Sequence, residues 1–136
     1  MVRAGQVVPT QVTMNLLKAA MMATTCPCLI DGFPRSVDNM ETFQKQCGKS
    51  TATIVLELPE EISIERLLER GSKAHVGTDE TATTVQRRVQ TYQTLSLPMV
   101  EALAEQTNVH RIDASKSKEE VFKAVRAVYL KYFPAS

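Results

Sequence analysis

Short apolar runs alternate along the chain with segments in which apolar residues recur every three or four positions. A short continuous apolar run bounded by turn residues predicts a buried strand, and the wider spacing predicts an amphipathic helix. Strands are predicted at residues 28–30, 51–58 and 109–112, and helices at 11–22, 40–46, 60–70, 85–106 and 118–132. Because helices and strands alternate, the pattern predicts an α/β fold with a parallel sheet covered by helices.

Several local signals refine these elements. Thr10 and Ser117 are predicted to cap the first and last helices, and Pro98 is predicted to interrupt the long helix at 85–106. The first helix is expected to face the core through apolar residues. These are Val12, Leu16, Leu17, Ala20 and Met21. Residues 71–84 contain two glycines and four threonines without apolar periodicity, which predicts a loop long enough to act as a lid over a ligand.

Candidate chemistry is concentrated directly after the first predicted strand, 28–30. Open α/β sheets bind ligands at the carboxyl ends of their strands. Gly32 would let a ligand approach the backbone, Pro34 would stiffen the turn, and Arg35 offers a planar fork of donors suited to a phosphate. Asp31 would place a carboxylate near a magnesium ion that accompanies the phosphate. The alternative is an ordinary Asp-Gly turn followed by a solvated arginine.

Composition narrows the class of protein. The chain has 136 residues, 43% of them hydrophobic, which is enough for one globular domain with a core. With 16 basic and 15 acidic residues, its net charge of +1 gives no bulk attraction to nucleic acid or a membrane surface. The sequence shows neither a long apolar span nor a signal-peptide pattern, so a cytoplasmic protein is expected. The three cysteines form neither a disulfide framework nor a complete zinc ligand set.

Four motifs, in this order and spacing, resemble those of nucleoside monophosphate kinases of the adenylate kinase and UMP-CMP kinase group. They are residues 5–9 (GQVVP), 29–35 (LIDGFPR), 69–71 (ERG) and 88–92 (RVQTY). The resemblance is closest to the UMP-CMP kinase branch, because residues 36–39, 62–71 and 112–117 also match it. It covers almost the whole chain. The implied fold is a three-layer, P-loop-kinase-like parallel sheet, and residues 1–136 would form part of one such domain.

The resemblance also implies an activity. Such enzymes transfer the γ-phosphoryl group of ATP, with Mg²⁺, to a nucleoside monophosphate, here (d)CMP, UMP or AMP. This chemistry depends mainly on positioning and on charge neutralisation, so arginines matter more than a nucleophile. The implied partners are therefore ATP and a nucleoside monophosphate.

By resemblance, three segments would bind the acceptor nucleotide. The implied residues are Gln6, Val7 and Val8 at the sugar and base, Gly32, Phe33, Pro34 and Arg35 at the phosphate, and Asn39 at the base. The amide of Asn39 has both donors and acceptors, which suits the edge of a pyrimidine. Alternatively, Asn39 caps the helix that follows it.

Three further residues would act on the ATP side. The resemblance implies that Arg70 and Arg88 clamp the transferred phosphoryl group, with Arg35 as the third catalytic arginine, and that the backbone of Lys116 touches adenine. The alternatives are an ion pair of Arg70 with Glu65 or Glu69, a solvated Arg88, and a simple loop lysine at 116.

The chain also departs from the family pattern. The family's first strand and its GxxxxGK[ST] phosphate loop would precede Met1, and no stretch of these 136 residues matches them. The lid motif, Ser-Gly-Arg-x-Asp-Asp in the family, is VGTDE at 76–80. The absent strand would lie between 28–30 and 51–58, which leaves open sheet edges.

Two hypotheses follow from these departures. One is a shortened kinase, from a truncated gene model, a splice form or a degenerate copy, with weak or no phosphotransfer alone. The other is a noncatalytic nucleotide-binding or oligomerising module that completes its sheet with a partner or a second copy.

Overall fold

The structure of the protein is a computed structural model that describes residues 8–73 and 82–135. Helices and strands follow one another largely as the apolar pattern predicts. In chain order, the described elements are α1 (Thr10–Met22), α2 (Val37–Cys47), β1 (Thr53–Glu57), α3 (Glu60–Lys73), α4 (Ala82–Thr91), a π-helical segment (Tyr92–Ser96), α5 (Leu97–Gln106), β2 (Val109–Asp113) and α6 (Lys118–Tyr132). None of the helices described in these two ranges is long and apolar enough to cross a membrane.

The two strands form a parallel pair, with register running from Thr53 opposite Val109 to Glu57 opposite Asp113. Two of the three predicted strands are thus confirmed. Their parallel direction and the flanking helices confirm the α/β class and agree with part of a P-loop-kinase-like fold.

The third predicted strand, at residues 28–30, is wrong. These residues lie outside any strand, Cys28 is exposed, and Leu29 keeps 80% of its surface exposed. A strand needs a ladder partner for its backbone groups, and in the described part of the chain β1 and β2 pair with each other. Without such a partner, the apolar composition of residues 28–30 does not by itself produce a strand.

The core lies between α2, α5 and β1. It consists of Met40, Val55, Met99, Val100 and Leu103. Each of these side chains is at least nine-tenths buried, and Val37, Ala102 and Val109 pack against the cluster. The core therefore packs β1 against two helices: α2, which follows residues 26–36, and α5, which precedes β2.

Helix α1 departs from the prediction. Met14 is fully buried, but Val12 and Leu16 keep 48% and 69% of their surface exposed, so the expected core-facing stripe is only partly covered. Thr10 does not cap the helix, because the N-cap is Pro9, which makes no side-chain hydrogen bond. The Thr10 hydroxyl instead reaches α2, where it donates to Asp38 Oδ2.

The helical region around residues 71–106 is also partly corrected. Residues 71–73 end α3 and residues 82–84 begin α4, so the predicted loop at 71–84 is helical at both ends, and residues 74–81 lie outside the described residues. The helix break falls at Tyr92–Ser96, ahead of Pro98. Proline lacks the N–H that would bond the carbonyl of the residue four positions earlier, so the wider turn precedes it.

Helix α6 begins as predicted. Ser117 accepts a hydrogen bond from the Glu120 backbone N–H, and the Glu120 carboxylate accepts one from the Ser117 N–H, which forms a capping box. Near its end, the Tyr132 hydroxyl lies 2.6 Å from His110 Nε2 in β2. Both ends of α6 are therefore fixed locally.

Candidate functional site

The segment from Gly32 to Arg35 forms a closed turn that presents Arg35 to solvent. Gly32 has a φ of +75°, and the Arg35 Nε–H donates to the Gly32 carbonyl at 2.7 Å. This bond uses Nε and fixes the orientation of the guanidinium plane. It does not involve the two terminal nitrogens of the guanidinium. Arg35 is exposed to solvent.

Three contacts hold this turn against the rest of the fold. The Arg35 backbone N–H donates to Asn39 Oδ1 at 3.2 Å, and the Ser96 hydroxyl donates to the Arg35 carbonyl at 2.8 Å. The Phe33 ring packs edge-on against Phe43 of α2, with 6.1 Å between centroids. The turn is thereby fixed to both α2 and the π-helical segment, although residues 28–30 form no strand behind it.

Gly32 is required in this turn for two reasons. Its φ lies in the left-handed region, and a Cβ added there would stand 3.3 Å from Arg35 Nη2. Gly48 has a φ of +84° with nothing within 4 Å of an added Cβ, so it provides a matched control.

We expect both Gly32→Ala and Gly48→Ala to destabilise the chain, by about 1–3 kcal/mol, because each glycine has a positive φ. Only Gly32→Ala should also weaken the binding of CMP or inorganic phosphate, because the added methyl displaces the Arg35 head group. Urea unfolding and calorimetric titration measure the two effects. Equal phosphate affinity in the two variants would contradict this assignment of Gly32.

Asn39 lies inside α2 and is half-buried, so the alternative role of helix cap is wrong. Ser36 is the N-cap, and its hydroxyl accepts a hydrogen bond from the Asn39 backbone N–H at 3.2 Å. The Asn39 side chain makes two contacts of its own. Its Oδ1 accepts from Arg35, and its Nδ2 donates to Thr10 Oγ1 at 2.9 Å.

Arg70 and Arg88 lie on two helices that pack against each other. Gln93 Nε2 donates to Glu60 Oε2 at 2.9 Å, which brings the start of α3 to the π-helical segment directly after α4, so the two helices run antiparallel. Arg88 precedes Ser96 by eight residues, about 12 Å along a helix. The turn that carries Arg35 thus contacts the π-helical segment that follows α4, and α4 packs against α3. Arg70 and Arg88 each interact with other groups of the chain.

Lys116 lies in the turn between β2 and α6. It borders an open hollow of about 300 Å³ at the carboxyl end of β2, together with Arg111, Asp113 and Glu120. Arg66 of α3 donates to the Ala114 carbonyl at 2.8 Å and ties this turn to α3. The turn is thus held at the strand end where nucleotides bind in α/β sheets.

Two hydrogen bonds from Ser115 fix Asp113 beside this hollow. The Ser115 hydroxyl donates to Asp113 Oδ1 at 2.6 Å and its backbone N–H donates at 2.9 Å, and both bonds hold the pKa of Asp113 below its ordinary value of 3.8. Because the folded-state pKa is lowered, the ionised carboxylate stabilises the fold above pH 3.8, and this contribution disappears as the pH falls through the lowered value.

We expect Ser115→Ala to raise the pKa of Asp113 toward its ordinary value, because the stronger of the two donors is lost. Ser115→Thr keeps the hydroxyl and should keep the lowered pKa. Titration of the Asp113 carboxyl carbon by NMR measures both variants. An unchanged pKa in Ser115→Ala would show that the backbone N–H alone sets it.

The remaining predicted residues are placed as follows. Gln6 and Val7 lie outside the described residues, while Val8 is 37% exposed just ahead of α1. Asp31 is exposed at the start of the turn, and no group of three His, Cys, Asp or Glu side chains in the described ranges could hold a metal ion by itself. A single carboxylate still fits a Mg²⁺ that arrives on substrate phosphates, because that ion is usually held by one or two carboxylates plus the phosphates.

The sequence gives no indication that two further residues, Ser96 and Thr10, contact the site. Ser96 stands 61 positions from Arg35 along the chain, and Thr10 stands 29 positions from Asn39. The spacing of apolar residues reports which face of a helix is buried, but it does not report which hydroxyl meets which loop. Only the packing of the helices brings Ser96 and Thr10 to the turn.

Comparison with known proteins gives consistent matches. Residues 1–108 match the family model for adenylate kinase. A UMP-CMP kinase from Danio rerio is 38% identical over 136 residues, covering 93% of this chain and 69% of that protein. The UMP-CMP kinase of Homo sapiens is 37% identical, covering 94% and 69%, and that of Lentinula edodes is 34% identical, covering 99% and 65%. The chain thus spans about two thirds of the length of these relatives.

Proposed function

Because the chain belongs to the adenylate kinase family of nucleoside monophosphate kinases, we propose that it binds a nucleoside monophosphate at the turn formed by residues 32–35. The observation that carries this proposal is the geometry of Arg35. Its Nε is bonded within the turn and its backbone is anchored on two sides, while the guanidinium remains exposed. A preorganised, accessible fork binds phosphate at little entropic cost.

The reaction we propose is transfer of the γ-phosphoryl group of ATP to CMP, dCMP, UMP or AMP. Arg35 would hold the acceptor phosphate, and Arg70 and Arg88 would neutralise charge on the transferred group. The backbone at Lys116 would contact adenine. Mg²⁺ bound with ATP would neutralise the donor phosphates, and Asp31, directly before the turn, would offer it a carboxylate.

Catalytic competence of these 136 residues by themselves is a separate question. They contain no GxxxxGK[ST] sequence, whose backbone N–H groups and lysine would hold the ATP phosphates. We therefore propose that this chain supplies the acceptor side of the reaction and that, tested alone, it transfers phosphoryl groups poorly.

Two measurements on the purified 136-residue chain test the proposal. Calorimetric titration with CMP, UMP and AMP should show binding to a single site. With ATP and Mg²⁺ added, turnover should stay well below about 1 per second, the lower end for ordinary kinases. Absence of nucleotide binding would refute the acceptor site, and turnover at or above that rate would refute the proposed dependence on a phosphate loop.

One observation favours a second function, in which the chain is a binding module that completes its sheet with a partner or a second copy. In the described residues, β1 has a ladder partner on one edge only. The apolar segment 28–30, in which Cys28 and Leu29 are exposed and Ile30 is half-buried, has no ladder partner. Such edges accept an added strand. Sedimentation at micromolar concentration tests self-association, and a stable monomer would count against the second-copy form of this function.

A further inference from the structure

We propose that Cys26 and Cys28 form a dithiol that exchanges with small disulfides and closes a reversible intrachain bond, a modification site separate from the nucleotide turn. Both thiols are free and exposed on the segment between α1 and α2, with Pro27 between them. The third cysteine, Cys47, is half-buried at the end of α2. Because thiol reactivity requires access, the exposed pair is the one that a dissolved disulfide reaches.

Pro27 holds the two cysteines at a distance that a disulfide can span. Its ring fixes φ near about −65°, which leaves helical and polyproline II backbones. Two Cα–Cα steps then separate Cys26 and Cys28 by about 5.4 Å in the helical case and about 6.6 Å in the polyproline case. Both values lie within the range of about 4.4–6.8 Å found for disulfides. A fully extended strand, at about 3.4 Å per residue, would place the pair at the upper limit of that range.

The Cys28 thiol already turns back toward residue 26. Its Sγ lies 3.7 Å from the Cys26 carbonyl oxygen, to which the S–H donates a weak hydrogen bond. The Cys26 backbone N–H donates to Thr24 Oγ1 at 3.1 Å, which fixes the chain just ahead of the pair. Ring closure therefore depends mainly on rotation of the Cys26 side chain about χ1.

Ring closure disrupts no regular structure. Residues 26–31 belong to no helix or strand, so the pair takes part in no ladder and no helical hydrogen bond. The turn at 32–35 is held separately, by the contacts of Arg35 with Asn39 and Ser96. The bond that forms is exposed, and exposed disulfides are readily reduced. We therefore expect a reversible modification rather than a permanent staple.

The exchange has two steps when oxidised glutathione is the small disulfide. The thiolate of one cysteine attacks a glutathione sulfur, forms a mixed disulfide and expels one glutathione thiolate. The second cysteine then attacks the protein sulfur of that mixed disulfide and expels the second glutathione thiolate. Two protein thiols are thereby oxidised to one disulfide, oxidised glutathione is reduced to two thiols, and the two protein protons end on them.

The test incubates the reduced 136-residue chain with oxidised glutathione, followed by alkylation, intact-mass measurement and peptide mapping. We expect a bond between Cys26 and Cys28, no retained glutathione and one alkylated thiol, Cys47. Cys26→Ser and Cys28→Ser should each retain one glutathione, because the second step is lost. Cys47→Ser is the matched control and should behave as the unsubstituted chain does. Excess reduced glutathione should reopen the bond.

Pro27→Ala tests the role of the proline. Alanine admits extended backbones that the closed ring does not, so release of the second glutathione should slow by about two- to fivefold. The first step should keep its rate, because it involves only one cysteine. An unchanged rate of the second step in Pro27→Ala would overturn the assignment of Pro27.

Three outcomes would overturn the inference as a whole. They are a stable mixed disulfide at Cys26 or Cys28 in the unsubstituted chain, a bond that includes Cys47, and a bond that excess reduced glutathione does not reopen. Because the readout is a mass and requires no nucleotide, these outcomes leave the proposed function intact. Failure of every nucleotide to bind would instead refute the proposed function and leave the dithiol unaffected.

Discussion

An Arg35→Ala variant should bind CMP at least about 100-fold more weakly than the unsubstituted chain. A charge-assisted hydrogen bond contributes about 1.5–3 kcal/mol, and the guanidinium fork can make two of them to one phosphate. Each 1.4 kcal/mol corresponds to about tenfold in affinity. Because Nε is already held by the Gly32 carbonyl, the fork loses little freedom on binding, so most of this energy appears as affinity.

Two further variants make this result specific. Arg35→Lys keeps the charge but loses both the Nε bond to Gly32 and the planar fork, so it should recover only part of the affinity. Arg126→Ala removes an exposed arginine on α6 and should leave CMP binding unchanged. Calorimetric titration measures all three, with thermal unfolding in parallel. CMP affinity that survives in Arg35→Ala would place the phosphate elsewhere.

Leu103→Ala should destabilise the fold more than any of the substitutions at the turn, by about 2–5 kcal/mol. Leu103 is 4% exposed on α5 and belongs to the cluster with Met40, Val55 and Val100. Its removal loses apolar burial and leaves a cavity that its neighbours cannot fully close. Against a total stability of about 5–15 kcal/mol, this is a large fraction.

Leu16→Ala provides the matched comparison. It makes the same change in another helix, but Leu16 keeps 69% of its surface exposed on α1, so the cost should be within about 0.5 kcal/mol. The Tm of Leu103→Ala should fall by about 10 °C, and that of Leu16→Ala by no more than about 2 °C. Similar losses in both variants would mean that α1 is covered in solution and that the core is larger than the described fold shows.

The helices and two of the three strands were predictable because burial of an apolar face imposes a period on the sequence. The stretches at 51–58 and 109–112 became β1 and β2, and Ser117 caps α6 as expected. The stretch at 28–30 is the exception, because it forms no strand. Its composition is that of a buried strand, but strand formation depends on a neighbouring backbone, which local sequence does not encode.

The types of residue at the candidate site, and their order along the chain, were predictable from the sequence. Gly32, Arg35 and Asn39 follow one another closely, and the kinase resemblance was confirmed by the family match over residues 1–108. The roles implied for Arg70, Arg88 and Lys116 stay predictions. The binding experiments above test the acceptor side of the candidate site directly.

The sequence alone therefore determined the α/β class, the family and the candidate turn at residues 32–35, because these depend on periodicity and on residues adjacent in the chain. Tertiary structure alone decided that Ser96 holds the Arg35 carbonyl, that Thr10 meets Asn39 rather than capping α1, and that Leu16 stays exposed. Each of these contacts joins or separates elements many residues apart, and which surfaces meet is set by the packing of whole helices rather than by any local pattern.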